Sequence, residues 1–470
     1  MSELYNANFF NSTLNKPMSV KKIESVISIK EIIALARHCG VIERSRIFDI
    51  VAFVCALVDF NDRGMLSSAK YTINNFRLNY YSKYAKEHIS DKAFHNQLRK
   101  PEIVEFLEKL ILRIYSYIGN DNPCSEHLEL VKILSSVGIT DVVPVDGSGF
   151  FVRLSCRKNF NCKTAGRKST QRGVQKENAG IKVHMAFSNV NGTISHLSIT
   201  EGTGSEREQV RADEYGEGML NIKDRGYIDY NGEPLYADRS QFHLTRYRTN
   251  VQGTVIMAVD GETGESLDEL IGKAPSCEIP DNIKSEYIDM LVKRISDSGN
   301  EVIARVVRVR NPDGEFSYYG TNLPMDKIPA KAVYLLYRCR WEGSELTFKA
   351  LQSGDGMRTI NSSLLDVIIT FMLGNILTYS FKQLVATVAK RIAKSEVSFS
   401  ILRIHTVLEA TDALIKSFTN GVRSSIYRAI HKQLDRILES CTRKEASLRD
   451  KQTFKDLPTV VKTIDDLVNG

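Results

Sequence analysis

Three acidic residues in three distinct settings constrain the fold of this 470-residue chain more than any other feature. Asp146 directly follows the apolar run 142–145, Asp224 lies just after the apolar run 219–222, and Glu345 lies in a long stretch of helix-forming residues. The three can act together only in a fold that brings two strand ends and one helix to a single place. Three carboxylates on separate elements can hold a pair of divalent metal ions, the usual device for displacing an oxygen at a phosphodiester.

The composition is that of a folded protein with several domains. Apolar residues make up 42% and charged residues 25% of the chain, so a packed core forms easily and overall disorder is not expected. The length is enough for about three domains. The net charge of +7 is small for this length, so it indicates a polyanionic partner only where the basic residues are concentrated.

The cysteines and the most apolar run bear on the cellular compartment. The eight cysteines form no Cys-x-x-Cys pair, and no secretory signal precedes them, so we expect a cytoplasmic chain with reduced thiols. The most apolar run, 364–379, is shorter than the ~20 residues that a membrane span needs, and it contains Asp366 and Asn375. We expect a buried helix there and no membrane association.

Residues 1–139 are predicted to be helical. The segment 20–36 carries apolar residues at helical spacing, Ser90 can cap a short basic helix over 92–99, and Pro101 can begin the next helix. A compact helical set with a short basic helix is typical of a DNA-reading module. An ordinary helical bundle fits the same pattern, and this segment alone does not choose between them.

From about residue 140 the pattern changes to that of an α/β core. Apolar or alternating runs predict strands over 142–145, 182–187, 194–199, 219–222 and 242–246. Asn191-Gly192 between the second and third runs is a strong hairpin signal, and a helix is predicted over 205–215. Three antiparallel strands, a helix and further strands match the order of a ribonuclease H-like mixed sheet, which we assign to 140–247 plus 326–380.

A β-rich insertion and flanking all-α domains complete the predicted organisation. The insertion, 248–325, contains strand-like runs over 251–259, 301–309 and 315–319. A long helix is predicted from 330 to about 351. The chain from 381 to 470 is predicted to be a helical interaction domain, as 1–139 is predicted to be a helical DNA-binding domain.

The segment 153–182, between the first two predicted core strands, is strongly basic. It contains nine lysines and arginines against a single acidic residue, Glu177. Because it follows Asp146 closely, we expect it at the edge of the sheet that carries the carboxylates. Phosphate contacts are the main source of salt-dependent DNA affinity, and the alternative is a merely solvated loop. The candidate DNA contacts are Lys158, Arg167, Lys168 and Lys182.

The setting of Glu345 is the most specific of the three. On one predicted helix, Tyr337 and Arg340 lie three residues apart and Glu345 and Lys349 lie four apart, so each pair shares a face. A tyrosine, an arginine and a lysine beside a metal-binding carboxylate supply donors and positive charge for DNA phosphates. The alternative is a surface helix with ordinary ion pairs.

The three settings resemble those of a known family, the bacterial insertion-sequence DDE transposases with the Tyr-Arg-Glu-Lys signature (the insertion-sequence-four family). The resemblance extends over about residues 37–379. The motifs that carry it are Asp146-Gly-Ser, Asp224-Arg225-Gly-Tyr, and Tyr337-x-x-Arg340-Trp followed by Glu345-x-x-Phe-Lys349.

The resemblance implies a ribonuclease H-like core and cut-and-paste DNA transposition with two Mg²⁺ ions per active site, for which Mn²⁺ can substitute. Asp146, Asp224 and Glu345 are the implied metal ligands. The implied partners are double-stranded DNA, as terminal inverted repeats and target, and a second protomer in a homodimeric DNA complex, with no nucleotide cofactor. The implied location is the bacterial cytoplasm, at the nucleoid when DNA is bound. The implied DNA contacts are Tyr337, Arg340, Lys349 and Arg225.

Two departures from the family pattern leave alternatives open. Glu345 comes one residue later than the family spacing, which turns a side chain by about 100° on a regular helix. A single π-bulge at 343–344 would absorb this shift, and Glu342 is the rival ligand. The signature lysine position is Gln352, so either Lys349 takes over its phosphate contact or that contact is lost.

The departures also define the alternative functions. A catalytically impaired DNA-binding regulator of transposition is one, and a nuclease of the same fold without strand transfer is another. A metabolic hydrolase is poorly supported, because the sequence contains no nucleophile elbow, P-loop or dinucleotide fingerprint. Relatives that form DNA hairpins often stack a flipped base on an aromatic residue of the insertion. The aromatic residues available for that role, or for packing within the insertion, are Tyr287, Phe316, Tyr318 and Tyr319.

Overall fold

The computed structural model describes most of the chain between residues 29 and 469, and every structural statement below refers to these residues. They are 29–42, 48–62, 73–85, 87–119, 125–152, 154–156, 158, 161–162, 178–209, 212–296, 299–340, 348, 359–360, 362–393 and 448–469.

The described part of the chain before the sheet is helical, as predicted. Ser90 caps the short basic helix, because the Ala93 N–H donates to Ser90 Oγ at 3.3 Å, and Pro101 begins the next helix. The helices are α1 (Ile29–His38), α2 (Ile50–Asp62), α3 (Ile73–Lys83), α4 (Asp91–Leu98), α5 (Pro101–Gly119) and α6 (Ser125–Leu134).

The centre of the molecule is one large mixed sheet. Its spatial order is β2-β3-β1-β5-β6-β10-β9-β8-β7, with β4 paired to β3 and β11 paired to β1. β1, β5 and β6 run parallel to one another, whereas β3 and β4 are antiparallel to their neighbours. The strands are β1 (Asp141–Val152), β2 (Asn161–Cys162), β3 (Asn178–Ser188), β4 (Thr193–Glu201), β5 (Met219–Lys223), β6 (Phe242–Tyr247), β7 (Thr254–Asp260), β8 (Tyr287–Ile295), β9 (Glu301–Arg310), β10 (Phe316–Thr321) and β11 (Thr359–Ile360).

The strands of the predicted insertion continue the core sheet, because β10 pairs antiparallel with β6. The sequence did not predict β8, because Asp289 and Arg294 interrupt its pattern of apolar residues. Both charged side chains are buried, and each forms an ion pair with a residue of another element. The Asn191-Gly192 hairpin is confirmed: it joins β3 to β4, and Gly192 adopts the positive φ of +64° that favours glycine.

The helix predicted over 205–215 is wrong. In its place the described residues form two short 3₁₀ turns, Arg207–Gln209 and Ala212–Glu214. Two side chains of this segment are tied to other elements: Glu206 pairs with Lys182 of β3, and Tyr215 packs against β1. These tertiary contacts override the local helix propensity.

Four more α-helices are found among the described residues. They are α7 (Pro234–Asp238) between β5 and β6, α8 (Ala330–Arg338) between β10 and β11, α9 (Leu365–Ala393) after β11, and α10 (Leu448–Val468). The predicted long helix from 330 to 351 is interrupted at Cys339, whose N–H donates to the carbonyl oxygen of Leu336 at 3.1 Å. The predicted π-bulge at 343–344 lies outside the described residues.

Helix α9 is the central helix of the largest core. It packs against α2 and α5, and Gly374 allows the close approach to α2, because a Cβ there would lie 2.4 Å from Asn61 Nδ2. One stretch of α9, Leu365–Val385, is long and apolar enough to cross a membrane, but most of it is buried in the protein. The buried helix that we predicted is thus longer than the sequence indicated.

The helices α1 to α5 and α9 and the strands β1 and β3 share one hydrophobic core, and α10 packs with α6 and α8 in a second core. The division into domains at 139, 247, 325 and 380 stays a prediction. Tyr287, Tyr318 and Tyr319 are buried in the cores around the sheet, so their rings pack within the protein.

A buried ion pair joins the insertion strands to the segment that leads into α8. Arg305 of β9 contacts both carboxylate oxygens of Asp289 on β8, at 3.0 and 2.6 Å. The same guanidinium donates to the carbonyl oxygens of Leu323 and Ile328, which precede α8. Arg305 therefore fixes where α8 begins on the sheet.

We expect Asp289→Ala to lower the free energy of unfolding by about 3–5 kcal/mol, because it leaves the buried Arg305 charge without its counter-ion. The matched control is Glu301→Ala, which removes the exposed pair between Lys293 and Glu301 on the same two strands. That change should cost less than about 1 kcal/mol. Chemical denaturation of the two variants measures both values. Equal losses would contradict the role of the buried pair.

Asp141, at the start of β1, holds the hairpin turn between β3 and β4. Ser188 Oγ donates to Asp141 Oδ2 at 2.6 Å, and the Val190 N–H donates to Oδ1 at 3.3 Å. Burial raises the pKa of Asp141 to about 6, even though both hydrogen bonds oppose the rise. The folded protein therefore holds this proton up to a higher pH than the unfolded chain.

Between about pH 4 and pH 6 the folded state binds more protons at Asp141 than the unfolded state, so the free energy of unfolding falls as pH rises. Asp141→Asn should remove this dependence. The variant should gain roughly 2 kcal/mol relative to the original protein between pH 4 and pH 6.5. Denaturation curves at the two pH values test this. A difference that stays constant with pH would contradict it.

Candidate functional site

The parallel register of β1, β5 and β6 brings the first two predicted aspartates together. The last paired residues are Val145 with Lys223 on β1 and β5, and Lys223 with Thr245 on β5 and β6. Asp146 and Asp224 are the next residues along β1 and β5, so they lie side by side at the same edge of the paired region.

The expectation that the first strand ends at Asp146 is wrong. β1 continues to Val152, because it pairs with β3 on its other side, where Asp146 lies opposite Met185. Only the parallel partner β5 stops at Lys223. Asp146 therefore lies in the middle of a strand, at the point where the sheet opens between β1 and β5.

Tyr337 of α8 and Arg340, two residues beyond the end of α8, lie against these two aspartates. Tyr337 Oη donates to Asp224 Oδ1 at 3.3 Å, and Arg340 Nη1 lies 3.4 Å from Asp146 Oδ2. The predicted shared face is confirmed, since the Arg340 guanidinium also lies 5.8 Å from the centre of the Tyr337 ring. Both side chains are buried, whereas both aspartates are partly exposed.

The electrostatics of the site keep both donors protonated. Burial raises the pKa of Tyr337 above its ordinary value; the Arg340 charge offsets part of this rise, and the Asp224 carboxylate adds to it. Burial lowers the pKa of Arg340, but Tyr337, Asp146 and Asp224 together outweigh burial and raise it. Arg340 is therefore a permanent positive charge beside two carboxylates.

On the opposite face of the sheet, Tyr227 and His184 meet the residue that follows Asp146. Tyr227 Oη lies 2.9 Å from His184 Nδ1, and His184 Nε2 lies 3.0 Å from Thr200 Oγ1. Burial lowers the pKa of His184 to about 3, and the nearby Lys182 charge adds to this, so the imidazole is neutral at physiological pH. The sequence placed Tyr227 in a motif but assigned it no role.

The other predicted DNA contacts have different surroundings. Lys182 is half-buried and forms an ion pair with Glu206, and it belongs to β3 and not to a loop. Arg225 and Lys158 are exposed to solvent. The remaining predicted site residues lie outside the described residues: Arg167, Lys168, Glu342, Glu345 and Lys349.

Sequence reasoning missed Arg246, which the register of β6 places next to Asp224. Thr245 is the last residue paired with Lys223, so Arg246 continues the row that holds the two aspartates. Its Nη2 donates to Ser317 Oγ at 3.3 Å. Burial raises the pKa values of Tyr337 and Tyr319, and the Arg246 charge offsets part of each rise. The signal for Arg246 was its place at the end of the predicted strand 242–246.

The described donors fit a divalent metal by type but do not complete a site. Asp146 and Asp224 supply the hard oxygen ligands that Mg²⁺ and Mn²⁺ prefer. Across the described ranges there is no group of three or more acidic, histidine or cysteine side chains placed to hold a metal ion. The third predicted ligand, Glu345, is not among the described residues.

Comparison with known proteins identifies the family. Residues 138–381 match the transposase DDE domain family, which covers more than half of the 470-residue chain. The chain therefore belongs to this family, and it is a DNA transposase of the DDE class. The match confirms the resemblance at this level and does not select the Tyr-Arg-Glu-Lys group within it.

Among solved structures, the chain is similar to the piggyBac transposase in a cryo-EM structure of its synaptic complex with hairpin DNA. The TM-score is 0.43 at 12% sequence identity, over 94% of this chain and 90% of that chain. No curated protein matches this chain.

Proposed function

We propose that this chain is a cut-and-paste DNA transposase of the insertion-sequence-four group, with Asp146, Asp224 and Glu345 as the ligands of two Mg²⁺ ions. The observation that carries the proposal is the side-by-side placement of Asp146 and Asp224, with Tyr337 and Arg340 of the signature helix against them. These four residues come from all three motifs of the family pattern.

The strand order supports a ribonuclease H-like core. The three strands β4, β3 and β1 are antiparallel neighbours, and β5 and β6 continue the sheet parallel to β1. The strands come in the order that the sequence predicted for that fold, but two 3₁₀ turns replace the helix predicted between β4 and β5. The β-rich segment is inserted between β6 and α8, within the range 248–325 that the sequence assigned to it.

Bound metal ions would activate a water or a DNA 3′-hydroxyl and stabilise the leaving oxygen. The chain's own contribution is to hold Asp146 and Asp224 in fixed positions at one edge. Arg340 supplies positive charge and Tyr337 a phenol donor beside these carboxylates, and such groups bind phosphate oxygens in many proteins. We assign the scissile phosphate to this place.

One exposed and one half-buried arginine near the site support DNA as the partner. Arg225 follows Asp224 directly and is exposed, and Arg246 lies in the same row on β6. The terminal inverted repeats and the target DNA are the proposed substrates. We also propose that residues 1–139 bind the repeats and that two protomers pair through residues 381–470. The proposed location is the cytoplasm, in association with the nucleoid.

We expect Asp146→Asn and Asp224→Asn each to reduce Mg²⁺-dependent cleavage of DNA carrying the element's ends more than about 100-fold. Changes in the surroundings of metal ligands alone already cost 10–100-fold. Binding of the same DNA should persist. The matched control is Asp238→Asn, at an exposed aspartate near the end of α7, which should cleave normally. Cleavage by Asp146→Asn at the original rate would exclude the metal assignment.

The third ligand is tested by comparing Glu345→Ala with Glu342→Ala in the same assay. We expect cleavage to be lost in Glu345→Ala and retained in Glu342→Ala, because Glu345-Leu-Thr-Phe-Lys continues the family pattern. The reverse result would assign the role to Glu342. If the original protein binds the ends specifically but does not cleave them, it is instead the catalytically impaired regulator of transposition. Gln352, which stands at the position of the signature lysine, is the reason for considering that function. Cleavage without strand transfer would favour the nuclease.

A further inference from the structure

The buried pair of Tyr227 and His184 lies directly behind the proposed metal site. Successive residues of a strand face opposite sides of the sheet. Val145 of β1 packs with Tyr227 on one side of the sheet, and Ile222 of the neighbouring strand β5 packs with Leu336 of α8 on the other side. The Asp146 carboxylate contacts Arg340, just beyond α8, so it lies on the α8 side. The next residue, Gly147, therefore faces the side that holds Tyr227.

Gly147 has no room for a side chain because of this pair. A Cβ at this position would lie 2.7 Å from Tyr227 Oη and 3.1 Å from His184 Nδ1. His184 is the residue opposite Gly147 on β3, so its ring is held by the register of the sheet. The backbone that follows Asp146 therefore rests directly on the Tyr227 hydroxyl.

The hydrogen-bond directions follow from the last member of the chain. Thr200 Oγ1 donates to the Glu201 carbonyl oxygen at 3.1 Å, so it must accept from His184 Nε2–H. A neutral imidazole with its proton on Nε2 has an acceptor at Nδ1. Tyr227 O–H therefore donates to His184 Nδ1, and this bond fixes where the hydroxyl lies.

Tyr227 is also tied to the second aspartate. Its N–H donates to the Asp224 carbonyl oxygen at 3.0 Å, which closes the short 3₁₀ turn after β5. One residue thus contacts the backbone at both carboxylate positions: Asp224 through its own turn, and Asp146 through Gly147. The Asp146 carboxylate is linked to that same backbone, since the Gly147 N–H donates to Asp146 Oδ1 at 2.9 Å.

We propose that Tyr227, held by its hydrogen bond to His184, is a positioning residue that fixes the distance between the Asp146 and Asp224 carboxylates. This inference rests on the proposed function of the two aspartates as metal ligands. In this proposal the tyrosine of the Asp-Arg-Gly-Tyr motif and the glycine of the Asp-Gly-Ser motif act together, because their contact holds the two aspartates in position.

The test measures metal binding directly, through the electron paramagnetic resonance signal of free Mn²⁺ titrated with the full-length protein. Tyr227→Phe keeps the ring but removes the hydroxyl, and it should weaken Mn²⁺ binding about tenfold, in the range of changes to residues around metal ligands. Gly147→Ala should have the same effect, because its Cβ displaces the hydroxyl. The Mg²⁺ concentration for half-maximal DNA cleavage should rise in parallel, with DNA end binding unchanged.

Two histidine variants separate positioning from general loss of stability. His184→Asn places an acceptor oxygen on Cγ, where Nδ1 is attached, and should retain Mn²⁺ binding close to the original affinity. His184→Leu removes the acceptor and should weaken binding as Tyr227→Phe does. The matched control is Tyr247→Phe, which removes another buried hydroxyl, bonded to Glu233 at 2.6 Å, and should leave Mn²⁺ affinity unchanged.

The outcomes distinguish this inference from the proposed function. Mn²⁺ binding lost in Asp146→Asn but unchanged in Tyr227→Phe and Gly147→Ala would overturn the positioning role and leave the metal site intact. Mn²⁺ binding unchanged in Asp146→Asn would overturn the metal assignment and the positioning role with it. If Gly147→Ala does not fold, the contrast between His184→Asn and His184→Leu decides, and equal affinities in these two variants would overturn the inference.

Discussion

The parallel hydrogen bonding of β1, β5 and β6 is the constraint on which the site depends. Parallel pairing sets three strand positions in one row, and the row just beyond the last paired residues contains Asp146, Asp224 and Arg246. If one of these strands slipped by one residue, the side chain that it contributes to this row would point to the other face of the sheet. The buried apolar residues on both faces oppose such a slip, so the core that stabilises the fold also aligns the acidic residues.

Two adjacent carboxylates repel each other, and the fold offsets this cost with positive charge from separate elements. Arg340 lies two residues beyond the end of α8 and 3.4 Å from Asp146, and Arg246 belongs to β6. The place of α8 depends in turn on Arg305, whose contacts with Asp289 and with the segment before α8 are all buried. Contacts within the insertion strands therefore support the geometry of a site that lies outside them.

The features that the sequence predicts well are those decided by a few neighbouring residues. The Ser90 cap, the Asn191-Gly192 turn and the shared face of Tyr337 and Arg340 are local, and each is confirmed. The failures have distant causes. β8 was missed because Asp289 is an apolar position occupied by a charge, which is stable only beside Arg305. The roles of Tyr227, His184 and Arg246 depend on strand register, which a single sequence does not reveal.

The spacing between Arg340 and the third acidic residue shows why counting along an ideal helix cannot choose between Glu342 and Glu345. Tyr337 and Arg340 already contact their aspartates across a departure from α-helical geometry, since the Cys339 N–H donates to Leu336, three residues back. A tightened turn rotates each later side chain more than an α-helical turn does. The family spacing is counted from Tyr337 and therefore crosses this tightened turn. The number of residues alone then does not determine which of the two glutamates shares a face with Tyr337.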